Sequence, residues 1–220
     1  MSQIRYRVYP TLLNAFLRYE GQVQQVAELE APKQELLDRI NRVPQLTTMP
    51  QQRGIDFETA LTTGEGEEVF PSPILEEMRR QLPRRYRTQV YVKAVVRGDI
   101  ELYGVVDVLG GNRAIDIKTT ARYEAPKFAL NPQNLYLLGL HTWGVEQLEY
   151  LITDFKAVYV ETYRYDSYDF EPLLDGLVRF SEFLETNRPL ITDRRVFKEP
   201  KPTPKRRSMP RPDELQTSLF

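Results

Sequence analysis

Residues 104–120, GVVDVLGGNRAIDIKTT, set Asp107, Asp116 and Lys118 among Val105, Val106, Val108, Ile115 and Ile117. The β-branched residues read as two short strands joined through Gly110, Gly111 and Asn112, a turn whose residues tolerate positive φ and suit a hairpin. Ionised groups at the edge of a core cost free energy unless something holds them, so the reading of these three charges decides fold and function together. Alternate side chains of a strand share a face, which puts Asp116 and Lys118 on one side and Ile115 and Ile117 on the other. If the turn closes with an even number of loop residues, Asp107 falls on that same face of the neighbouring strand, opposite or diagonal to Asp116. Two carboxylates and an amine then converge at one edge of a sheet.

Working outward, TQVYVKAVV from Thr88 makes a third strand, parted from DIELYGVVDVL by Arg97, Gly98 and Asp99, and the three form a meander. Before them, residues 10–20 and 31–43 carry apolar positions three and four apart, as amphipathic helices do, with Pro10 and Pro32 near their starts. Residues 44–53 read as a polar connector, and GIDFETAL as the start of a helix with Asp56 or Thr59 near its first turn. PSPILEEMRRQLPRRYR predicts a helix from near Ser72, interrupted around Pro83. After the meander come a helix starting near Asn131 or Pro132, strands at 148–152 and 156–165, and a last helix in FEPLLDGLVRFSEFLET. The order helix, three strands, helix, strand predicts an α/β fold, a mixed central sheet flanked by helices.

The 220 residues, 41% of them hydrophobic, suffice for one substantial core, and one domain over residues 1–197 is expected. Beyond it, residues 198–220 turn proline-rich and basic with little to bury, which predicts a flexible tail. There is no cysteine, which excludes disulfides, thiolate zinc sites, cysteine nucleophiles and iron-sulfur clusters. No apolar run approaches membrane-span length and no signal peptide opens the chain, so a soluble cytoplasmic protein without membrane contact is expected. The net charge of −1 means that any nucleic-acid affinity must come from local clustering. RRQLPRRYR supplies such a cluster: Arg79, Arg80, Arg84, Arg85 and Arg87 either neutralise DNA phosphates or form a solvated helix end paired with Glu76 and Glu77. The aromatic residues of YVETYRYDSYDF, 159–170, either offer stacking platforms or fill strand surface. No GxxxxGK[ST] loop is present, so nothing points to an ATP motor.

Two adjacent carboxylates repel each other, and a divalent cation relieves the repulsion. Mg2+, with Mn2+ as its substitute, prefers one or two carboxylates plus phosphate and water oxygens, which describes this pair better than the larger cage of calcium. Lys118 beside it would orient a water or stabilise charge building on a phosphorane-like transition state. The plainer alternative is an Asp–Lys ion pair on a strand edge.

Asp107 ending one strand and Asp116-Ile117-Lys118 on the next resemble the PD-(D/E)XK nuclease superfamily, with Asp at the position where Glu is commoner. The resemblance implies a restriction-endonuclease-like core in αβββαβ order, a metal held by Asp107, Asp116 and the backbone carbonyl of Ile117, and Lys118 in catalysis. RGIDFE resembles the Gly-x-x-x-Glu helix motif of phage-type exonucleases in this superfamily, with Gly54 and Glu58 in the matching places. It implies Glu58 in the metal shell; an ordinary solvated helix residue is the alternative. Gln133 and Tyr136 resemble the Gln/Tyr motif of RecB-like members, spaced Gln-x-x-Tyr here rather than Gln-x-x-x-Tyr, and share one helix face. The pair would guide the substrate strand, or Tyr136 would be a core residue with its hydroxyl satisfied. His141 reads as a helix-surface or packing residue.

QTSLF, residues 216–220, resembles the peptide by which bacterial replication and repair proteins dock on the sliding clamp. Gln216, Ser218, Leu219 and Phe220 match, and Thr217 departs. A fold-back of Leu219 and Phe220 onto their own domain is the alternative. Together these readings predict a Mg2+-dependent DNA nuclease, exonuclease-like, in repair, recombination or replication and tethered to a clamp. Its rival is a catalytically inactive nuclease-fold module that binds DNA or recruits partners.

Overall fold

The computed structural model describes residues 3–23 and 30–198. In chain order it runs β1 (Tyr6–Val8), α1 (Pro10–Val23), α2 (Glu30–Ile40), α3 (Met49–Thr63), α4 (Ser72–Gln81), β2 (Arg87–Val96), β3 (Ile100–Gly110), β4 (Arg113–Thr119), α5 (Tyr136–Leu140), β5 (Gln147–Thr153), β6 (Val158–Arg164) and α6 (Glu171–Thr186). The six strands make one mixed sheet with a core on each face. One core gathers α1, α2, α5 and α6 over Leu109, Ala114, Leu148, Tyr150 and Ile152; the other gathers α3 and α4 over Val108, Ile115, Ile117 and Leu151. The alternation anticipated for residues 114–118 is what divides β4 between these cores.

The meander forms as its turn residues suggest. β2 and β3 pair antiparallel, and β3 and β4 are joined by a two-residue loop, with Gly110 opposite Arg113 and Gly111 at φ 62°. β2 runs along one edge of β3 from Ile100 to Leu109. β1 takes the other edge at Ile100–Leu102, in parallel, and β4 takes that same edge at Val108–Gly110. Residues 103–107 are therefore left without a strand partner on that side, and this gap positions the site.

Three elements differ from the sequence reading. β1 was not anticipated: three residues are too few to show a period, and they become a strand because β3 offers an open edge. Helix α3 begins at Met49 rather than within GIDFETAL, so half of the supposed 44–53 connector is helical. A capping box explains the start: Gln51 N–H donates to Thr48 Oγ1 at 3.4 Å and Thr48 N–H to Gln51 Oε1 at 2.9 Å. Asp56 and Thr59 then sit inside the helix, not in its first turn. The segment after Asn131 starts where expected, with Asn131 Oδ1 accepting Gln133 N–H at 3.0 Å, but is split into 3-10 turns on both sides of a five-residue α5. α5 crosses β2 closely: a Cβ on Gly139 would lie 2.7 Å from the Lys93 carbonyl oxygen.

The domain boundary also moves. Lys198 belongs to the folded part, its N–H donating to the Arg5 carbonyl at 2.8 Å and its ammonium to Glu101 Oε2 at 3.1 Å. Residues 199–220, including Gln216, Ser218, Leu219 and Phe220, lie outside the described residues. No described helix is long and apolar enough to cross a membrane.

Candidate active site

The β3–β4 ladder stops at Val108 opposite Ile115; one more step in register would set Asp107 directly across from Asp116. Instead the strands part, and a side chain satisfies a backbone group that the ladder abandons. Asp107 Oδ2 accepts the Ile117 N–H at 2.8 Å. Further back along the gap, the Tyr136 hydroxyl lies against Gly104. The crevice thus holds the acids that the hairpin placed side by side.

Asp116 is 1% exposed. Its Oδ1 accepts the Gln133 side-chain amide, and its Oδ2 forms an ion pair with the Lys118 ammonium. That buried Oδ2 makes no other hydrogen bond, so the Lys118 ammonium is its one partner among the described residues. Burial, then the nearby charges of Asp116 and Glu58, push the Asp107 carboxyl up to about 8 against the pull of Lys118 and the Ile117 N–H. Burial alone would lower the Lys118 amine, but Asp116 and Asp107 outweigh it and hold the amine above its usual value, so it stays an ammonium. The sequence reading put these three residues at one spot, and the structure brings them there.

Glu58 is brought near but not into contact. Gly54 lets α3 approach β4, since a Cβ there would meet Thr119 Oγ1 at 3.2 Å. Burial, then the charge of Asp116, raises the Glu58 carboxyl, yet its Oε1 accepts the Gln89 amide at 2.6 Å. Among the described residues no group of three or more His, Asp or Glu side chains converges to hold an ion. The three-acid shell expected from the sequence is corrected accordingly: Asp107 and Asp116 form the pair, and Glu58 is tied to Gln89. Of Ile117, the N–H is what the site uses, through Asp107. The acid pair still suits a divalent cation, because half-buried Asp107 and buried Asp116 lie side by side and Asp107 is pushed up by burial and then by the charges of Asp116 and Glu58.

Sequence reasoning missed Gln89. It lies on β2 between Thr88 and Val90, which face Val108 and Val106, so it sits at the level of Asp107. Its φ of 52° is left-handed, a conformation that costs a non-glycine residue about 1–2 kcal/mol. Glutamine carries no signal for that geometry.

Gln133 and Tyr136 both reach the acids, but each is occupied by the protein. Gln133 donates to Asp116, and Tyr136 is the buried residue that the alternative reading expected, its hydroxyl set against Gly104. Burial, then the charge of Asp116, lifts the Tyr136 hydroxyl well above its usual value. Behind Gln133 the fully buried Asn134 accepts the Tyr150 hydroxyl at 2.7 Å and donates to the Phe128 carbonyl at 3.0 Å, anchoring the turn. Gly104 is where Tyr136 lands: a Cβ there would lie 1.9 Å from its hydroxyl oxygen. Gly104→Ala is expected to cost about 1–3 kcal/mol through overpacking. Urea unfolding checks this, and Gly104→Ala combined with Tyr136→Phe should recover part of the loss.

The arginine cluster divides. Arg79 donates to the Ala60 carbonyl at 2.9 Å and pairs with Glu67 at 2.5 Å, while Arg80 pairs with Glu77 and, at 3.8 Å, Glu76. These two are corrected to helix-bound residues. Arg84, Arg85 and Arg87 are exposed and make no ion pair among the described residues. Of the 159–170 aromatics, Tyr159 stacks on Tyr123 at 4.3 Å and Tyr163 bonds to Glu161 at 2.5 Å. His141 stacks on Tyr165 at 3.6 Å, a packing role.

No family model matches the chain, and no curated protein does. Among solved structures the chain is similar to the crystal structure of SSO0001, with 15% identity and a TM-score of 0.44 over 83% of this chain and 79% of that one.

Proposed function

We propose that this α/β protein is a divalent-metal-dependent DNA nuclease of the PD-(D/E)XK kind with a restriction-endonuclease-like core, acting in repair, recombination or replication. One observation carries the reading: the parted β3–β4 edge directs Asp107, Asp116 and Lys118 at a single crevice. A buried cluster with more acid than base is costly for stability alone and is the arrangement that a cation-dependent site needs.

Asp107 and Asp116 would hold Mg2+ or Mn2+. The ion would neutralise charge on the scissile phosphate and acidify a bound water. Lys118, kept protonated, donates to the attacking water or to a phosphate oxygen as charge develops there. Gln133 keeps the Asp116 carboxylate from rotating, and Glu58, raised by burial and the charge of Asp116, would take the proton of the attacking water. Water oxygen bonds to phosphorus, the opposite P–O bond breaks, and the departing oxygen takes a proton from solvent.

Single-stranded, linear duplex and closed circular DNA incubated with Mg2+ or Mn2+ test the proposal. Cleavage is expected in the native chain and lost in Asp116→Asn, with circular DNA spared if ends are required. No cleavage, or cleavage undiminished in Asp116→Asn, would overturn it. A second reading of the same fold is an inactive DNA-binding module, since function belongs to the site and not to the fold. Calorimetric Mg2+ binding that disappears in Asp107→Asn argues against that module. On residues 216–220 we add docking to a bacterial sliding clamp, checked by capture of the clamp with the full chain against a chain ending at Leu215.

A further inference from the structure

The hairpin end of β3 and β4 carries a second feature, separate from the acids. A groove of about 400 Å³ there is lined by Arg85, Tyr86, Arg87, Gly111, Trp143 and Val145. Two close contacts build it. Gly110 lets the chain before β2 cross the sheet, since a Cβ there would lie 2.6 Å from the Arg85 carbonyl oxygen and 2.8 Å from Pro83. The segment bearing Trp143 is tied to the hairpin loop by the Glu146 N–H donating to the Asn112 carbonyl at 2.7 Å.

Trp143 is 52% exposed, a large aromatic face left in water. Tyr86 beside it is exposed as well, and Arg85 and Arg87 are exposed without an ion pair among the described residues. Cations interleaved with open aromatic faces match a ligand that alternates anionic groups with flat apolar rings. A nucleic-acid strand is such a ligand: phosphates meet guanidinium groups, and base faces stack on aromatic rings. Base faces are free only when the bases are unpaired, because a duplex shows side chains its edges and backbone. Gly110 lies three residues along β3 from Asp107, so the groove begins about 10 Å from the acids, within reach of one strand.

We propose that this groove binds single-stranded DNA, with Trp143 and Tyr86 stacking on bases and Arg85 and Arg87 holding phosphates, and so delivers an unpaired strand to the acid crevice. The assignment of the delivery step rests on the nuclease reading; the binding itself does not require cleavage.

Trp143 is the one tryptophan of the chain, so its emission reports on this groove alone. The full chain, in EDTA to prevent cleavage, is titrated with a short mixed-sequence single strand, its duplex, the RNA of the same sequence, and poly-glutamate. The single-stranded DNA is expected to quench Trp143 most, with an affinity that falls with salt. Arg85→Ala with Arg87→Ala should flatten the salt slope by about 0.7 per arginine lost. Trp143→Ala, followed by anisotropy of labelled DNA, should weaken binding about 5- to 150-fold. Duplex, RNA or poly-glutamate binding more tightly, or DNA binding that leaves Trp143 emission unchanged, would overturn the proposal. Cleavage without a Trp143 response would sink this inference and leave the nuclease reading standing. A Trp143 response without cleavage would do the reverse.

Discussion

Replacing Lys118 with methionine is expected to slow metal-dependent DNA cleavage about 10²- to 10³-fold, the usual loss when one donor aimed at developing charge is removed. The side chain is held beside Asp116 and keeps its proton because both acids outweigh its burial. In the proposed reaction it would therefore act by donating and by its charge, not as a neutral base. Its removal also strips Asp116 of a counter-charge at a carboxylate that is 2% exposed, a loss that reaches about 3–5 kcal/mol for buried pairs and less here, where the lysine is 27% exposed. Thermal unfolding run beside single-turnover cleavage separates the two effects. Lys118→Arg restores the charge, so it should recover stability while recovering only part of the rate, since a guanidinium fork is not an ammonium in the same place. A Lys118→Met chain that cuts at full rate while folded would remove Lys118 from the mechanism.

The second large effect is on stability. With no cation added, Asp107 has its carboxyl raised from 3.8 to about 8 in the folded chain. A raised acid favours the folded state below its unfolded pKa and loses that contribution as pH climbs towards the folded value. Between pH 4 and 8 the folded chain binds the extra proton, so stability falls by about 1.4 kcal/mol per pH unit, up to about 5 kcal/mol in all. Asp116 and Glu58 share the field, so the observed step belongs to the cluster. Denaturant unfolding in EDTA from pH 5 to pH 8 is expected to show this decline. Asp107→Asn should flatten it and exceed the native chain in stability at pH 8. On the proposal that Mg2+ binds the ionised pair, Mg2+ should raise the melting temperature more at pH 8 than at pH 5. A pH-independent stability in EDTA would show that Asp107 is not held in this field.

Much of the site could be read locally. Asp116 and Lys118 share a face by strand alternation, which is visible in GVVDVLGGNRAIDIKTT; Asp107 joins them because the turn closes over two residues, the even number on which the sequence reading depended. Gly54 and Glu58 could be placed on one face of a helix, since four residues span about one turn, and only the motif resemblance implied that the helix lies near the site. What Glu58 touches could not, because its partner Gln89 comes from a strand 31 residues away in a left-handed conformation that only its surroundings impose. Nor could the split of the arginines: Arg79 is spent on carbonyls of α3 and on Glu67, contacts that exist only once α3 and α4 pack.

The sequence by itself determined the α/β order, the hairpin and the shared face of Asp116 and Lys118, because each follows from periods of two or 3.6 residues and from turn chemistry within a short window. Tertiary structure alone decided that β1 and β4 share one edge of β3 and leave a gap, that Tyr136 and Asp107 fill it, and that Trp143 stands beside Arg85. Those outcomes depend on which distant segments find the same unpaired backbone groups and the same open edge, and no local period encodes that competition.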